Sequence, residues 1–248
     1  MWFSSPALIF LLTLIFVPLE RVFAARAWRG FQKGWLTDLL FFVGQTYLWT
    51  FPVVLVLGAV ADLISQLPLD GLQKGLAGHH PVIQVIVALL TSDLCTYWGH
   101  RLSHRLPWLW RFHRVHHTSK HLDWLAAYRE HPLDNLYTRL IENVPLLVLG
   151  IPWHFIAGLA AFRGLWAVFI HSNVELHVGP LAYVLGAPRL HHWHHDESRG
   201  RTDNFANLNP LMDLVFGTYF DPGKMPETVG FSGEKDKGFV ALILRPFR

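Results

Sequence analysis

Long uncharged apolar runs alternate along this chain with short polar stretches. Residues 3–19 form the first run, broken only by Pro6 and Pro18. No basic segment precedes it and no small-residue cleavage site follows, so it reads as a membrane span rather than a removable signal. A basic stretch follows, containing Arg21, Arg26, Arg29 and Lys33. Residues 39–61 make a second run, long enough to cross a hydrocarbon core that needs about 20 helical residues. A linker with Asp62, Asp70 and Lys74 leads to a third run, which begins near Pro81 and continues through Val87, Leu90 and Leu94.

The fourth run, residues 144–170, is interrupted by Gly150, Pro152 and Arg163. Histidines precede and follow it, so for these to meet the chain must leave and return on one side. A helical hairpin bent near residues 150–154 satisfies that requirement; a single clean span does not. The segments after the first and third runs are basic, with Arg101, Arg105, Arg111 and Arg114 in the latter. The excess of positive charge places both on the cytoplasmic side. The pattern predicts an all-α, integral-membrane helical bundle of about four spans, with a polar cytosolic cap after Ser172. Residues 1–248 read as one domain, with no repeat and no low-complexity tract.

Composition sharpens this picture. Hydrophobic residues make up 52% of the chain and charged ones only 16%, where soluble domains carry about a quarter. The net charge of +3 is too small for a nucleic-acid surface; arginines beside anionic lipid account for it. Cys95 is the only cysteine, which rules out an intrachain disulfide and a cysteine-based zinc cluster.

Histidine is the other anomaly, with 16 residues. His100 and His104 sit i, i+4 at the end of the third run, about 40° apart on one helical face. His113, His116 and His117 follow with HxxHH spacing, and His191, His194 and His195 repeat it. His171, in His171-Ser172-Asn173, closes the hairpin, with His177 six residues on. Imidazoles at these spacings can converge on metal ions, and neutral imidazole suits iron, zinc, copper and nickel alike. His192 reads as a neighbour of this set. His131-Pro132 either joins it or shapes a loop. His79, His80, His121 and His154 read as ordinary surface or core residues. Asp93 and Tyr97 precede His100 by seven and three residues on the same stripe. A carboxylate in an apolar run is costly without a partner, and Asp93 is expected to accept a hydrogen bond from one of the ligand imidazoles.

The stretch from Asp93 through Tyr97, His100 and His104, then Leu109-Trp110-Arg111-Phe112-His113-Arg114-Val115-His116-His117, resembles the fatty acid hydroxylase superfamily, also called the sterol desaturase family. His171-Ser172-Asn173-Val174, the box at His191, His194 and His195, and the tail with Asn204, Phe205, Asp213 and Tyr219 match its later boxes. The resemblance covers roughly residues 35–220, with the catalytic boxes within residues 93–219. The HxxxH spacing leans toward the sterol-desaturase-like branch.

The resemblance implies four helical spans with a cytosolic dimetal cap, two iron ions (zinc being possible as purified) and dioxygen as co-substrate. It further implies a lipid substrate from the bilayer: sterol, fatty acyl, ether lipid or another isoprenoid. His100, His104, His113, His116, His117, His171, His191, His194, His195 and His177 are the expected ligands, and Asp93 and Tyr97 their supports. The chain has no dinucleotide fingerprint and no iron–sulfur cysteines, so a separate ferredoxin- or cytochrome-linked reductase is expected. A bacterial inner membrane is the expected location. Two rivals stand beside this expectation. A haem-binding electron carrier would use the pairs His100/His113 and His104/His117, each thirteen apart; a membrane zinc hydrolase would use three ligands and leave most histidines unexplained.

Overall fold

The structure, a computed structural model, describes residues 5–27, 30–176, 179–196, 198–199, 201–230 and 237–248. The described residues form helices and turns, with only isolated backbone bridges. The helices are α1 (Ser5–Val22), α2 (Trp35–Gly44), α3 (Thr50–Ser65), α4 (Asp70–Ala77), α5 (Pro81–Arg105), α6 (Pro107–His113), α7 (Pro132–Val148), α8 (Trp153–His171), α9 (Pro188–His194), α10 (Leu211–Val215) and α11 (Phe239–Leu244).

Prolines set several of the boundaries. α5, α6, α7 and α9 each begin with proline at the first helical position, where its missing N–H costs nothing and its φ suits the helix. The preceding histidine caps two of them: His80 Nδ1 accepts from the Val82 N–H (3.3 Å) and His131 Nδ1 from the Leu133 N–H (3.2 Å). His131 Nε2 then donates to the Ile243 carbonyl (3.1 Å). Both histidines are structural.

Among the described residues, three helical segments are long and apolar enough to cross a membrane: Trp35–Ser65, Pro81–Arg105 and Trp153–His171. The first joins α2 to α3 through a π-turn over Gln45–Trp49, whose wider winding brings the Gln45 carbonyl to the Thr50 N–H, and the same carbonyl also accepts from the Thr50 hydroxyl (2.5 Å). Most of each span faces outward, with only 22–33% of its apolar window buried. Phe51 and Leu48 are two-thirds exposed. Such faces suit a lipid solvent.

The fourth apolar run differs in detail from its sequence pattern. It comprises the end of α7 and all of α8, and α7 starts twelve residues earlier than the run, at Pro132. Its buried Asp134, Asn135, Glu142 and Asn143 break the apolar pattern. The expected bend is present: Gly150 turns the chain at φ +72° and Pro152 caps α8. A side chain at this φ costs roughly 1–2 kcal/mol. Gly150→Ala is therefore expected to lower the thermal midpoint of the detergent-extracted protein; an unchanged midpoint would show that the turn needs no glycine.

The ends of the long helices determine where the histidines lie. α5 and α8 finish, and α7 starts, at one end of the bundle. The segment after α1 reaches the same end, because Ala25 N–H donates to the Asn173 carbonyl (3.1 Å) and Glu175 N–H to the Phe23 carbonyl (2.8 Å). Glu20 of α1 accepts from the backbone N–H groups of Trp124 (2.7 Å) and Asn173 (2.9 Å). An apolar cluster of Leu12, Phe16, Phe42, Trp124, Leu125 and Val168 packs behind these contacts.

Candidate metal centre

Among the described residues, nine histidines meet at this end in two groups. His100, His104, His113, His117 and His194 form one; His116, His171, His191 and His195 form the other. Within each, one ring nitrogen per residue lies within 4.8 Å of all the others. The groups abut, with His117 and His195 stacked at 4.3 Å between ring centroids and His191 and His194 at 5.2 Å. The local fold explains the convergence. α5 supplies His100 and His104 from its last turns, α6 ends on His113, a 3-10 turn presents His116 and His117, α8 ends on His171, and α9 carries His191 and His194. Most of these are helix C-termini, where the backbone dipole favours a cation.

The nitrogens that face inward lack partners in one group and crowd one another in the other. In the five-histidine group, all five Nε2 atoms are buried without a hydrogen bond. In the other, Nε2 atoms crowd one another: His116 to His171 at 3.0 Å, His171 to His191 at 2.9 Å, His191 to His195 at 3.1 Å. Orphaned buried nitrogens are costly, and with His116 and His171 protonated on Nδ1 towards backbone carbonyls their Nε2 lone pairs face each other with no proton between them. Cations satisfy such lone pairs, so the donor set fits two metal ions.

Five of the outward nitrogens are held. His113 Nδ1–H donates to Asp134 (2.9 Å), and His100, His116, His171 and His194 donate to the carbonyls of Phe205 (2.8 Å), Arg129 (3.3 Å), Ala167 (2.6 Å) and Asp203 (2.9 Å). Each bond fixes a tautomer with its Nε2 lone pair turned inward. Burial acts in the same direction. It pushes His116, His117, His191 and His195 well below the usual histidine range, and His194 to about 3. Neutral imidazole is the form that ligates metal.

These supports are themselves anchored. Arg129 is clamped by Asp38 at 2.5 and 3.0 Å, which holds the carbonyl that His116 uses. Asp213 accepts from the N–H groups of Phe205 (2.8 Å) and Ala206 (2.9 Å) and from the Thr218 hydroxyl (2.7 Å), which fixes the carbonyl that His100 uses. The Tyr97 hydroxyl meets Thr218 at 2.9 Å, so Tyr97 supports His100 through that chain.

One sequence expectation does not hold. Asp93 accepts from no imidazole; its two oxygens are taken by Arg163 of α8 and by Asn209 (2.5 Å). The carboxylate next to an imidazole is Asp134, 21 residues beyond His113 and on another helix, so helical spacing could not reveal it. His192 joins neither group and meets the carbonyls of His171 (3.2 Å) and Ser172 (3.1 Å) and the Arg26 guanidinium (2.8 Å). His131 is likewise outside both groups, and His177 lies outside the described residues. Asp134→Ala is expected to weaken metal retention by about 10–100-fold, measured as the chelator concentration that strips the protein. Retention equal to wild type would show that Asp134 does not orient His113.

Fold and site together define a helical protein with three candidate membrane spans among the described residues and a buried, all-imidazole site that could hold metal. The fatty acid hydroxylase family model matches residues 85–218, which contain both histidine groups entire, and the chain belongs to that family. It is 34% identical to the ornithine lipid hydroxylase OlsE of Rhizobium tropici over 167 residues, 66% of this chain and 50% of that protein. It is 35% identical to human alkylglycerol monooxygenase over 133 residues, 53% of this chain and 29% of the relative. Methylsterol monooxygenase 1-1 of Arabidopsis thaliana is 26% identical over 200 residues, 75% of this chain and 60% of that protein. The chain thus spans half or less of the first two relatives. No solved structure matches it.

Proposed function

We propose that this chain is an integral-membrane, non-haem di-iron oxygenase that hydroxylates or desaturates a lipid entering from the bilayer. The observation that carries the reading is the pair of imidazole groups at the end of apolar helices, with inward nitrogens unpartnered in one group and crowded together in the other. Family membership and relatives named as lipid hydroxylases and monooxygenases support it. In this reading residues 1–248 work as one domain of four spans. The histidines face the cytoplasm of a bacterial inner membrane, below the basic segments after α1 and α5.

The nine imidazoles would hold the iron pair, which supplies dioxygen activation and oxidation of an unactivated C–H bond. This chain's residues do the rest. Asp134 and the carbonyls of Phe205, Arg129, Ala167 and Asp203 hold the rings in register. Tyr97, Thr218 and Asp213 keep one of those carbonyls in place. Burial of the rings excludes water that would compete for the centre. Hydroxylation consumes dioxygen, an electron pair and two protons, leaving an alcohol and water. With no dinucleotide or iron–sulfur motif in the chain, the electrons would come from an external ferredoxin- or cytochrome-linked reductase.

The rivals fit the geometry less well. Five imidazoles around one point leave no room for a porphyrin between His100 and His113 or between His104 and His117. A hydrolytic zinc takes three protein ligands and a water, not groups of five and four. Lipid mass spectrometry on cells with and without the chain tests the function. A lipid class that gains one oxygen, or loses two hydrogens, only when the chain is present is the expected result. An unchanged lipid profile from metal-loaded protein with a competent reductase would contradict it; turnover on NADPH with no added reductase would contradict only the external electron donor.

A further inference from the structure

His191, like His195, has an outward Nδ1 that is buried yet has no partner. Its Nε2 faces His171 and His195, so in the metal-binding tautomer the proton sits on Nδ1 and needs an acceptor. The ring borders a cavity of about 10 Å³ between the end of α8, the turn before α9 and residues 204–210. That is about the space one water molecule requires. Ile170, Gly186, Ala187, Leu190 and Asn207 are among its walls. Asn207 Oδ1 is also buried without a partner. The other polar walls are engaged: Asn204 with Leu190 and Phe220, Asp213 with Phe205, Ala206 and Thr218. A third orphan, the indole Nε1–H of Trp166, lies 3.3 Å from where a Cβ on Gly186 would stand, beside the same cavity.

One donor-bearing ring, His191, and one acceptor-bearing side chain, Asn207, thus line a void of one-water size, with the Trp166 indole N–H close behind Gly186. Buried waters typically make about three hydrogen bonds to such groups. We propose that a single buried water fills this cavity, accepts from His191 Nδ1–H and Trp166 Nε1–H, and donates to Asn207 Oδ1. The water performs for His191 what Asp134 performs for His113, which makes Asn207 and Trp166 positioning residues for the four-histidine group. Glycine at 186 keeps the space open, since a Cβ there would come within 2.9 Å of the Asn207 carbonyl.

The proposal rests on the di-iron reading, and its test separates the two. Iron-loaded wild-type and variant proteins are titrated with EDTA, and iron per chain is followed by elemental analysis. Asn207→Leu removes the acceptor and is expected to release one of the two ions at about 10–100-fold lower chelator. Asn207→Asp retains the acceptor and is expected to hold both ions as wild type does. Trp166→Phe, which removes only one donor, decides the matter if Asn207→Leu does not fold, and is expected to release the same ion early. A high-resolution map of the wild-type protein should show a solvent peak in the cavity. An empty cavity, or Asn207→Leu protein that folds and holds both ions like wild type, would overturn the proposal. Wild-type protein that takes up no iron would overturn the di-iron reading and the proposal with it.

Discussion

Alanine at His104, His117 or His194 is expected to cost the protein one metal ion per chain and to bring lipid oxidation to background. The reason is geometric. These rings belong to the group of five whose Nε2 atoms share one point, and none of those atoms has another partner. Removing one opens the ligand shell and leaves a methyl group in a buried site, where no other side chain supplies a nitrogen. His171→Ala and His191→Ala should act in the same way on the other ion. The two groups abut through His113, His117 and His194 on one side and His116, His191 and His195 on the other, so turnover falls in either case while the helices still insert. Iron per chain and product formation, measured on the same extracted samples, check this. Two variants from one group that kept normal turnover would show that their rings are not ligands. His192→Ala is the contrast, because its ring bonds backbone carbonyls rather than joining either group; it should keep both ions.

Breaking the Asp93–Arg163 pair is expected to have the largest effect on stability. Both side chains are buried, at 5% and 2% exposure, and they join two membrane-crossing helices, α5 and α8. Asn209 from the cap reaches the other oxygen of Asp93, so the carboxylate also ties the cap to the bundle. Removing one partner of a buried pair strands a charge and typically costs about 3–5 kcal/mol, whereas replacing both with apolar residues of similar size is often close to neutral. Arg163→Ala and Asp93→Ala should therefore each unfold in detergent at distinctly lower temperature. The double substitution of both residues with leucine should recover much of the loss. The folded fraction of each variant should still carry wild-type metal, since Asp93 touches no imidazole. Equal loss in the double and single variants would show that the pair is not what joins these helices.

Much of this architecture is legible in the sequence because lipid imposes a simple rule: a crossing helix must be apolar over its length. The third run and the bend at Gly150 and Pro152 follow directly from it. The histidine boxes are legible because their spacing is helical; HxxxH at the end of α5 and HxxHH across α9 place rings on one face with no knowledge of the rest of the chain. The partners of those rings are not legible. Asp134 comes from another helix, and four other acceptors are backbone carbonyls, which every residue has. Asp93 misleads for the same reason. Its position on the His100 stripe is real, but a stripe continues along one helix, whereas Arg163 and Asn209 reach Asp93 from other segments. α7 is obscured by its own polar face, since Asp134, Asn135, Glu142 and Asn143 are buried against neighbouring elements rather than exposed to lipid.

Everything above depends on a pair of ions resident among these imidazoles. The direct test is elemental analysis of intact protein extracted from membranes, purified without chelator and reconstituted anaerobically with ferrous iron. Two transition-metal ions per chain, falling to one in a His104→Ala sample, is the expected result. Less than one ion per chain in correctly folded wild-type protein, in every preparation, would contradict the account.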